Sequence, residues 1–214
     1  MDYAQLVAAK TTANSIKAWL NWDLAPSTDI LAEAETYIYD KLRIREMKLI
    51  ATGTINDGDL TLAMPTYFLA PISFRRIGAS AGRITIFDSD QMESRNVIDQ
   101  DGNFVEAVPT ECQIIGDPPV VYFNVESDDD YDYRLVYWGR KAPLSGSNTT
   151  NFLTNRYPKM LRTACLMSGY EFYKQPDQEK KYEGRLEKLI FEANSMYDLG
   201  EQANRFETYQ DEDD

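Results

Sequence analysis

The stretch LVYWGRKAPLSGSNTTNFLTNRYP, Leu135 to Pro158, contains the signals that decide the fold of this chain. It begins with a strand pattern, with Leu135 and Tyr137 on one face and Val136 and Trp138 on the other, and this strand is predicted to end at Gly139-Arg140-Lys141. A polar run, Ser145 to Asn151, comes next, and Tyr157-Pro158 then predicts a helix with proline in its first turn. The stretch therefore predicts a strand, a polar crossover and a helix, in that order.

Helical patterns lie at both ends of the chain. Apolar residues at helical spacing predict a first helix from Tyr3 to Leu20, and Ser27 or Thr28 can cap a second helix that ends near Lys48. On the C-terminal side, the helix that begins at Pro158 is expected to run to about residue 174, and a last helix is expected to stop at Leu199-Gly200. The sequence thus predicts four amphipathic helices.

The middle of the chain has the pattern of an all-β module. Asn56-Asp57-Gly58-Asp59 predicts a turn between two short strands. Further strands are predicted at residues 74–77, 84–87, 104–108, 120–125 and 133–138.

These elements predict an α+β fold: a four-helix bundle of two N-terminal and two C-terminal helices, with an inserted antiparallel β module. The expected divisions are a first helical part at 1–50, an inserted β domain at 51–144, a second helical part at 145–200 and an acidic C-terminal tail at 201–214.

The order of these elements resembles the head-to-tail adaptor, or connector, proteins of tailed bacteriophages, over roughly Met1 to Arg205. The resemblance rests on the Leu135–Pro158 stretch and on the N-terminal pair of helices, the second opening at Thr28-Asp29-Ile30. It implies a structural neck protein without enzymatic activity. It also implies a dodecameric ring that joins the portal protein to the tail tube or nozzle and continues the DNA channel. The expected partners are the portal, the next tail component and other copies of the chain, with DNA passing through without specific binding.

Net charge is −13, and it is unevenly distributed. Residues 88–132 contain thirteen acidic side chains and a single basic one, Arg95, and the chain ends in another acidic cluster, Glu207 and Asp211–Asp214. One interpretation is a solvated surface that keeps the protein soluble. The other is repulsion of nucleic acid, since tight binding of phosphates requires clustered Lys and Arg.

Few residues of this chain could carry chemistry. Histidine is absent, which excludes Ser-His-Asp triads and His-ligated zinc, and Cys112 and Cys165 are expected to be buried free thiols. Asp99–Asn103 begins like a calcium loop, but its glycine is at the wrong position, and Asp128–Asp132 could gather a hard cation only weakly. We therefore predict no catalytic residue, no metal site and no cofactor. The alternative is an acidic carbohydrate-active or metal-assisted hydrolase built on the β module.

No apolar run is long enough to span a bilayer, and the first residues lack the features of a signal peptide. These features predict a cytosol-like compartment, and the resemblance implies a location in the virion neck after assembly in the host cytoplasm, with no membrane contact.

The resemblance places the C-terminal end of the chain toward the portal, so the acidic C-terminal segment is the predicted portal contact. It contains two aromatic residues, Phe206 and Tyr209, and two of its acids, Asp211 and Glu212, are included in the predicted site. Aromatic residues within an acidic run suit an apolar groove with a basic rim. The alternative is a disordered, solvated end without a role.

Overall fold

A computed structural model describes the backbone of residues 1–92 and 95–210, and the side chains of residues 1–88, 91, 92 and 95–198. The chain divides into two compact units. The helical unit comprises Met1–Met47 and the chain from Lys141 onward, and the β unit comprises Lys48–Arg140. Their elements, in chain order, are α1 (Tyr3–Val7), α2 (Ile16–Leu20), α3 (Ser27–Lys41), a 3₁₀ turn (Arg45–Met47), β1 (Lys48–Ile55), β2 (Thr61–Ala63), β3 (Phe68–Arg76), β4 (Gly82–Ile86), α4 (Ser89–Met92), β5 (Glu106–Ala107), β6 (Glu111–Ile115), β7 (Val120–Phe123), β8 (Glu126–Ser127), β9 (Tyr131–Gly139), α5 (Phe152–Arg156), α6 (Pro158–Phe172) and α7 (Pro176–Gln210).

Local capping decides where the N-terminal helices begin. The Asp2 side chain accepts a hydrogen bond from the Gln5 amide and starts α1. The Ser15 hydroxyl accepts from the Ala18 amide and donates to the Ala9 carbonyl, and it thereby starts α2. The prediction of one helix from Tyr3 to Leu20 was therefore wrong, because Ser15 begins a second one.

The core of the helical unit is formed by α6 with α3 on one side and α7 on another. Pro158 occupies the first turn of α6, as the sequence predicts. The side chains that fill this core are fully or almost fully buried: Ile30, Ile38, Leu161, Ala164, Leu186 and Ile190. Burial of this apolar surface is the main stabilising contribution in the unit.

A seven-stranded sheet dominates the β unit, in the order β1-β9-β3-β4-β6-β7-β2. Its first and last strands in the chain, β1 and β9, pair along their whole lengths, from Lys48 opposite Trp138 to Ile55 opposite Tyr131. The two edge strands, β1 and β2, are joined by only five residues, 56–60. The sheet is therefore nearly closed.

One face of this sheet is buried. Strand β9 alternates strictly, with Tyr131, Tyr133, Leu135 and Tyr137 buried and the residues between them more exposed. They pack with Phe74 of β3, as in the edge-to-face contact between the Phe74 and Tyr133 rings. The opposite face of β9 and of its neighbours is left uncovered within the β unit.

The predicted fold class, a four-helix bundle with an inserted antiparallel β module, is wrong. The described part of the helical unit contains six helices, because the first predicted helix is divided and α5 forms in the crossover. The sheet is mixed, since β4 and β6 are parallel. The protein is a mixed α/β structure with one large, nearly closed sheet.

One local prediction is confirmed and another was wrong. The turn at Asn56–Asp59 lies between two strands, β1 and β2, although these strands pair with β9 and β7 and not with each other. Helix α7 does not stop at Gly200 but continues to Gln210. The segment after Gly200 is rich in good helix formers such as Glu, Gln, Ala and Arg, which offset one interior glycine.

Candidate interaction surfaces

The predicted portal contact lies at the far end of α7. Phe206 and Tyr209 belong to the helix, and their side chains are not described; Asp211 and Glu212 lie outside the described residues. With 35 residues, α7 is about 52 Å long at a rise of about 1.5 Å per residue. The two aromatic residues therefore lie at the end of a long element.

The middle of α7 is fixed to α3. The Asn194 side chain accepts a hydrogen bond from the Arg43 amide at 2.7 Å and donates one to the Lys41 carbonyl at 3.1 Å. Lys41 also contacts Glu187 at 3.1 Å. These bonds satisfy backbone groups where α3 ends. They hold α7 in place up to Asn194.

Apolar side chains on α7 are exposed near this anchor. Phe191 is 71% exposed and Met196 is 76% exposed, although Ile190 and Ala193 are buried next to them. Phe191 and Met196 are five residues apart and therefore lie on different sides of the helix, so they do not form one patch. Single exposed apolar side chains of this kind are common on protein surfaces.

Two shallow grooves of opposite charge lie beside α6. One, of about 410 Å³ between α3 and α6, is lined by three acids, Glu33, Asp40 and Glu171. Burial raises the pKa of Glu33, and the nearby charges of Glu171 and Asp29 raise it further. The other groove, of about 380 Å³ between α6 and α7, is lined mainly by basic and apolar side chains: Lys159, Thr163, Arg185, Lys188, Leu189 and Glu192.

The polar crossover is held by a buried carboxylate. Glu35 of α3 accepts hydrogen bonds from the Leu144 amide at 3.0 Å and from the Asn151 side chain at 2.9 Å. Asn151 also caps α5 through the amides of Leu153 and Thr154. Burial raises the pKa of Glu35, while these hydrogen bonds lower it in part. The contacts explain why the crossover is ordered, and they give Glu35 a structural role.

Four exposed aspartates come together at one end of the β unit. Asp57 lies in the turn after β1, and Asp128, Asp129 and Asp130 lie in the turn before β9. The Asp57 amide donates to the Asp130 carboxylate at 2.9 Å, and the Gly58 amide donates to the Ser127 carbonyl at 2.7 Å. We call these four residues the acidic tip.

Three exposed arginines lie side by side on the open face of the same sheet. Arg83 of β4 is directly opposite Arg75 of β3, and Arg75 is directly opposite Arg134 of β9. We call these three residues the arginine row. Sequence reasoning missed it because each arginine is isolated in the chain, and only the pairing of three strands brings them together.

The described residues form no metal-binding cluster. No three of their Cys, Asp and Glu side chains are placed to hold a metal ion. Cys112 and Cys165 are free and buried, and burial raises the pKa of Cys112 to about 12. The hydrolase alternative stays a hypothesis without a site among the described side chains. None of the described helices is long and apolar enough to span a lipid bilayer.

A protein-family model matches most of this chain. The family model described as SU10 adaptor protein matches residues 1–206. The match includes both units and nearly all of α7. No curated protein matches the chain significantly.

Proposed function

This chain belongs to the SU10 adaptor protein family, a family of phage head-to-tail adaptors, and from that membership we propose that it forms a dodecameric ring in the virion neck. The ring joins the portal to the tail tube or nozzle and continues the DNA channel. Membership implies a structural virion protein with portal and tail proteins as partners in general. The match over residues 1–206 is the observation that carries the proposal.

The distribution of charge supports different tasks for the two units. The helical unit contains fifteen basic and twenty acidic side chains, a net charge of −5 that comes entirely from residues 201–214. The β unit contains seven basic and fifteen acidic side chains, a net charge of −8. Apolar contact with a protein partner is easier for a weakly charged surface than for a strongly charged one. We therefore assign portal attachment to the helical unit.

An acidic ring suits a passage for DNA. Every copy has a net charge of −13, so the assembled ring repels phosphates wherever its acids face the channel. Repulsion discourages adhesion during passage, and it is consistent with a conduit that does not bind DNA specifically.

The end of α7 is the proposed portal contact. Phe206 and Tyr209 are three residues apart in a helix, a spacing that places two side chains on the same face. Together with Asp211 and Glu212 they offer an apolar anchor with acidic neighbours, which fits an apolar groove with a basic rim. Replacing Phe206 and Tyr209 with alanine is expected to weaken attachment to the portal and leave the melting temperature unchanged. Alanine at Gln202 and Asn204 is the matched control. If the Phe206/Tyr209 variant binds portal as tightly as the Gln202/Asn204 control variant does, the portal contact is elsewhere.

Ring formation is proposed to depend on the portal. Strong like charge opposes self-association of free copies, and the portal supplies a template that gathers them. Light scattering of the protein alone should report a monomer or small oligomer, and a large complex should form when the portal of the same virus is added. A stable ring of the protein alone would refute the template and leave the adaptor role intact. Failure to associate with portal under any condition would contradict the proposed function.

A further inference from the structure

The arginine row has no carboxylate partner among the described side chains. Neighbouring positions across antiparallel strands place side chains about 5 Å apart, so Arg83, Arg75 and Arg134 lie within about 10 Å of one another. None of them is in an ion pair with a described residue. Like charges directly opposite each other destabilise a sheet. The row therefore costs stability in an isolated copy.

The nearest acids on that face are already engaged. Asp132 is two residues before Arg134 on β9, and it accepts a hydrogen bond from the Thr54 hydroxyl at 2.9 Å. Glu111 is opposite Thr85, two residues after Arg83 on β4, and it pairs with Arg95 at 2.9 Å. Neither acid forms an ion pair with the row, so an acidic partner from another molecule can supply the opposite charge.

The acidic tip is a second cluster of like charges, of the opposite sign. Its four exposed aspartates are gathered in two adjoining turns, and none of them is in an ion pair with a described basic residue. Asp130 and Arg134 are four residues apart, about 13 Å along an extended strand. This distance is too long for the tip and the row of one copy to pair directly. The same unit thus has two unpaired clusters of opposite sign.

The surroundings of the row favour a protein partner over nucleic acid. Ile50 is 55% exposed opposite Val136, and Ile72 is 39% exposed in the irregular part of β3. Apolar side chains contribute to a protein contact and add nothing to phosphate neutralisation. The unit that holds the row also has a net charge of −8, which repels a polyanion.

We propose that the arginine row of one copy binds the acidic tip of the next copy, so that the two clusters form the contact between neighbouring β units in the ring. The inference rests on the proposed ring. When the row of each copy binds the tip of the next, the contact is head-to-tail, the type that closes into rings, whereas reciprocal pairing of two copies would give a closed dimer. Each contact reduces the repulsion among the arginines of one copy and among the aspartates of the next. Exposed ion pairs are weakened by salt, so the contribution of this contact to assembly falls as ionic strength rises.

Charge reversal tests this pairing. The row variant carries Arg75→Glu and Arg134→Glu. The tip variant carries Asp57→Lys and Asp129→Lys, which keeps the Asp128 and Asp130 carboxylates that accept hydrogen bonds from Tyr131 and Asp57. A swapped chain carries all four changes. The control, Lys180→Glu with Lys181→Glu, reverses two exposed cations in the helical unit and changes net charge as much as the row variant does.

Each variant is mixed with portal and followed by mass photometry and negative-stain imaging, after its melting temperature has been checked. The row and tip variants should each require about tenfold more protein to complete the ring, because like charges then meet across the contact. The swapped chain should assemble close to the wild-type concentration, and so should the control.

Three outcomes overturn the inference. The first is normal assembly of both single-cluster variants, and the second is a swapped chain as defective as either of them. The third is a row variant that assembles normally but loses retention of duplex DNA, which assigns the row to nucleic acid. If wild-type protein itself does not associate with portal, the proposed function fails instead.

Discussion

Gly169 of α6 provides a sharp test of how the N-terminal helices pack. Alanine in place of a helix-interior glycine normally stabilises by about 0.5–1 kcal/mol, because it restricts the unfolded chain. A Cβ at position 169, however, would lie 2.5 and 2.7 Å from the two terminal carbons of Leu20 in α2. Leu20 is only 7% exposed, so its side chain has little room to move.

The expected result follows from these two contributions. Overpacking of a filled core costs about 1–3 kcal/mol, which exceeds the gain in helix propensity. We therefore expect Gly169→Ala to destabilise the protein by about 1 kcal/mol. Gly184 of α7 is the matched control, because a Cβ there has nothing within 4 Å. Gly184→Ala should stabilise by about 0.5–1 kcal/mol.

Urea denaturation of the free protein measures both changes. A double variant, Gly169→Ala with Leu20→Ala, removes the crowding and should be less destabilised than the sum of the single variants, by about 1 kcal/mol or more. If Gly169→Ala stabilises as much as Gly184→Ala does, α2 does not pack against α6 as described, and the reasoning is refuted.

Three further predictions concern α7, the crossover and metal dependence. Asn194→Ala should lower the free energy of unfolding in urea by about 1–3 kcal/mol, since it leaves the Arg43 amide and the Lys41 carbonyl without their partner. The control, Lys188→Ala, removes only an exposed ion pair and should lower it by less than about 0.5 kcal/mol. Equal losses for the two variants would contradict the role of Asn194 in fixing α7 to α3. Because burial raises the pKa of Glu35, the folded state binds the carboxyl proton more tightly than the unfolded state does, and the contribution of Glu35 to stability falls as pH rises from the usual pKa through the raised one. Glu35→Gln should remove this part of the pH dependence. Parallel curves of unfolding free energy against pH for the two proteins would refute the assignment. Thermal melts with and without a chelator should coincide, since we predict no metal site. A metal bound only to the native state would stabilise it, so a large drop in melting temperature with chelator would favour the metal-assisted alternative.

Local signals predicted some elements of the helical unit well. Pro158 and the apolar spacing after it predict α6, and the structure confirms the start of that helix. The division between α1 and α2 was also readable, because Ser15 is a good N-cap, but the apolar spacing across it suggested continuity. The continuation of α7 past Gly200 depended on weighing six good helix formers among residues 201–210 against one glycine.

Pairing between distant strands could not be predicted in this way. The turn at Asn56–Asp59 has the chemistry of a hairpin, yet its flanking strands pair with β9 and β7 because the sheet curves to near closure. The arginine row depends on the same long-range pairing: Arg75 and Arg134 are directly opposite, although 58 residues separate them in the chain. No periodicity within one strand reveals such a cluster.

Association with the portal tests the central claim most directly. Purified protein and the portal of the same virus are mixed and analysed by mass photometry, with each component alone as a reference. The proposed adaptor role predicts one discrete complex whose added mass corresponds to a complete ring of this chain, imaged as a second tier beneath the portal. A mixture that shows only free portal and free protein at all concentrations and ionic strengths would contradict it.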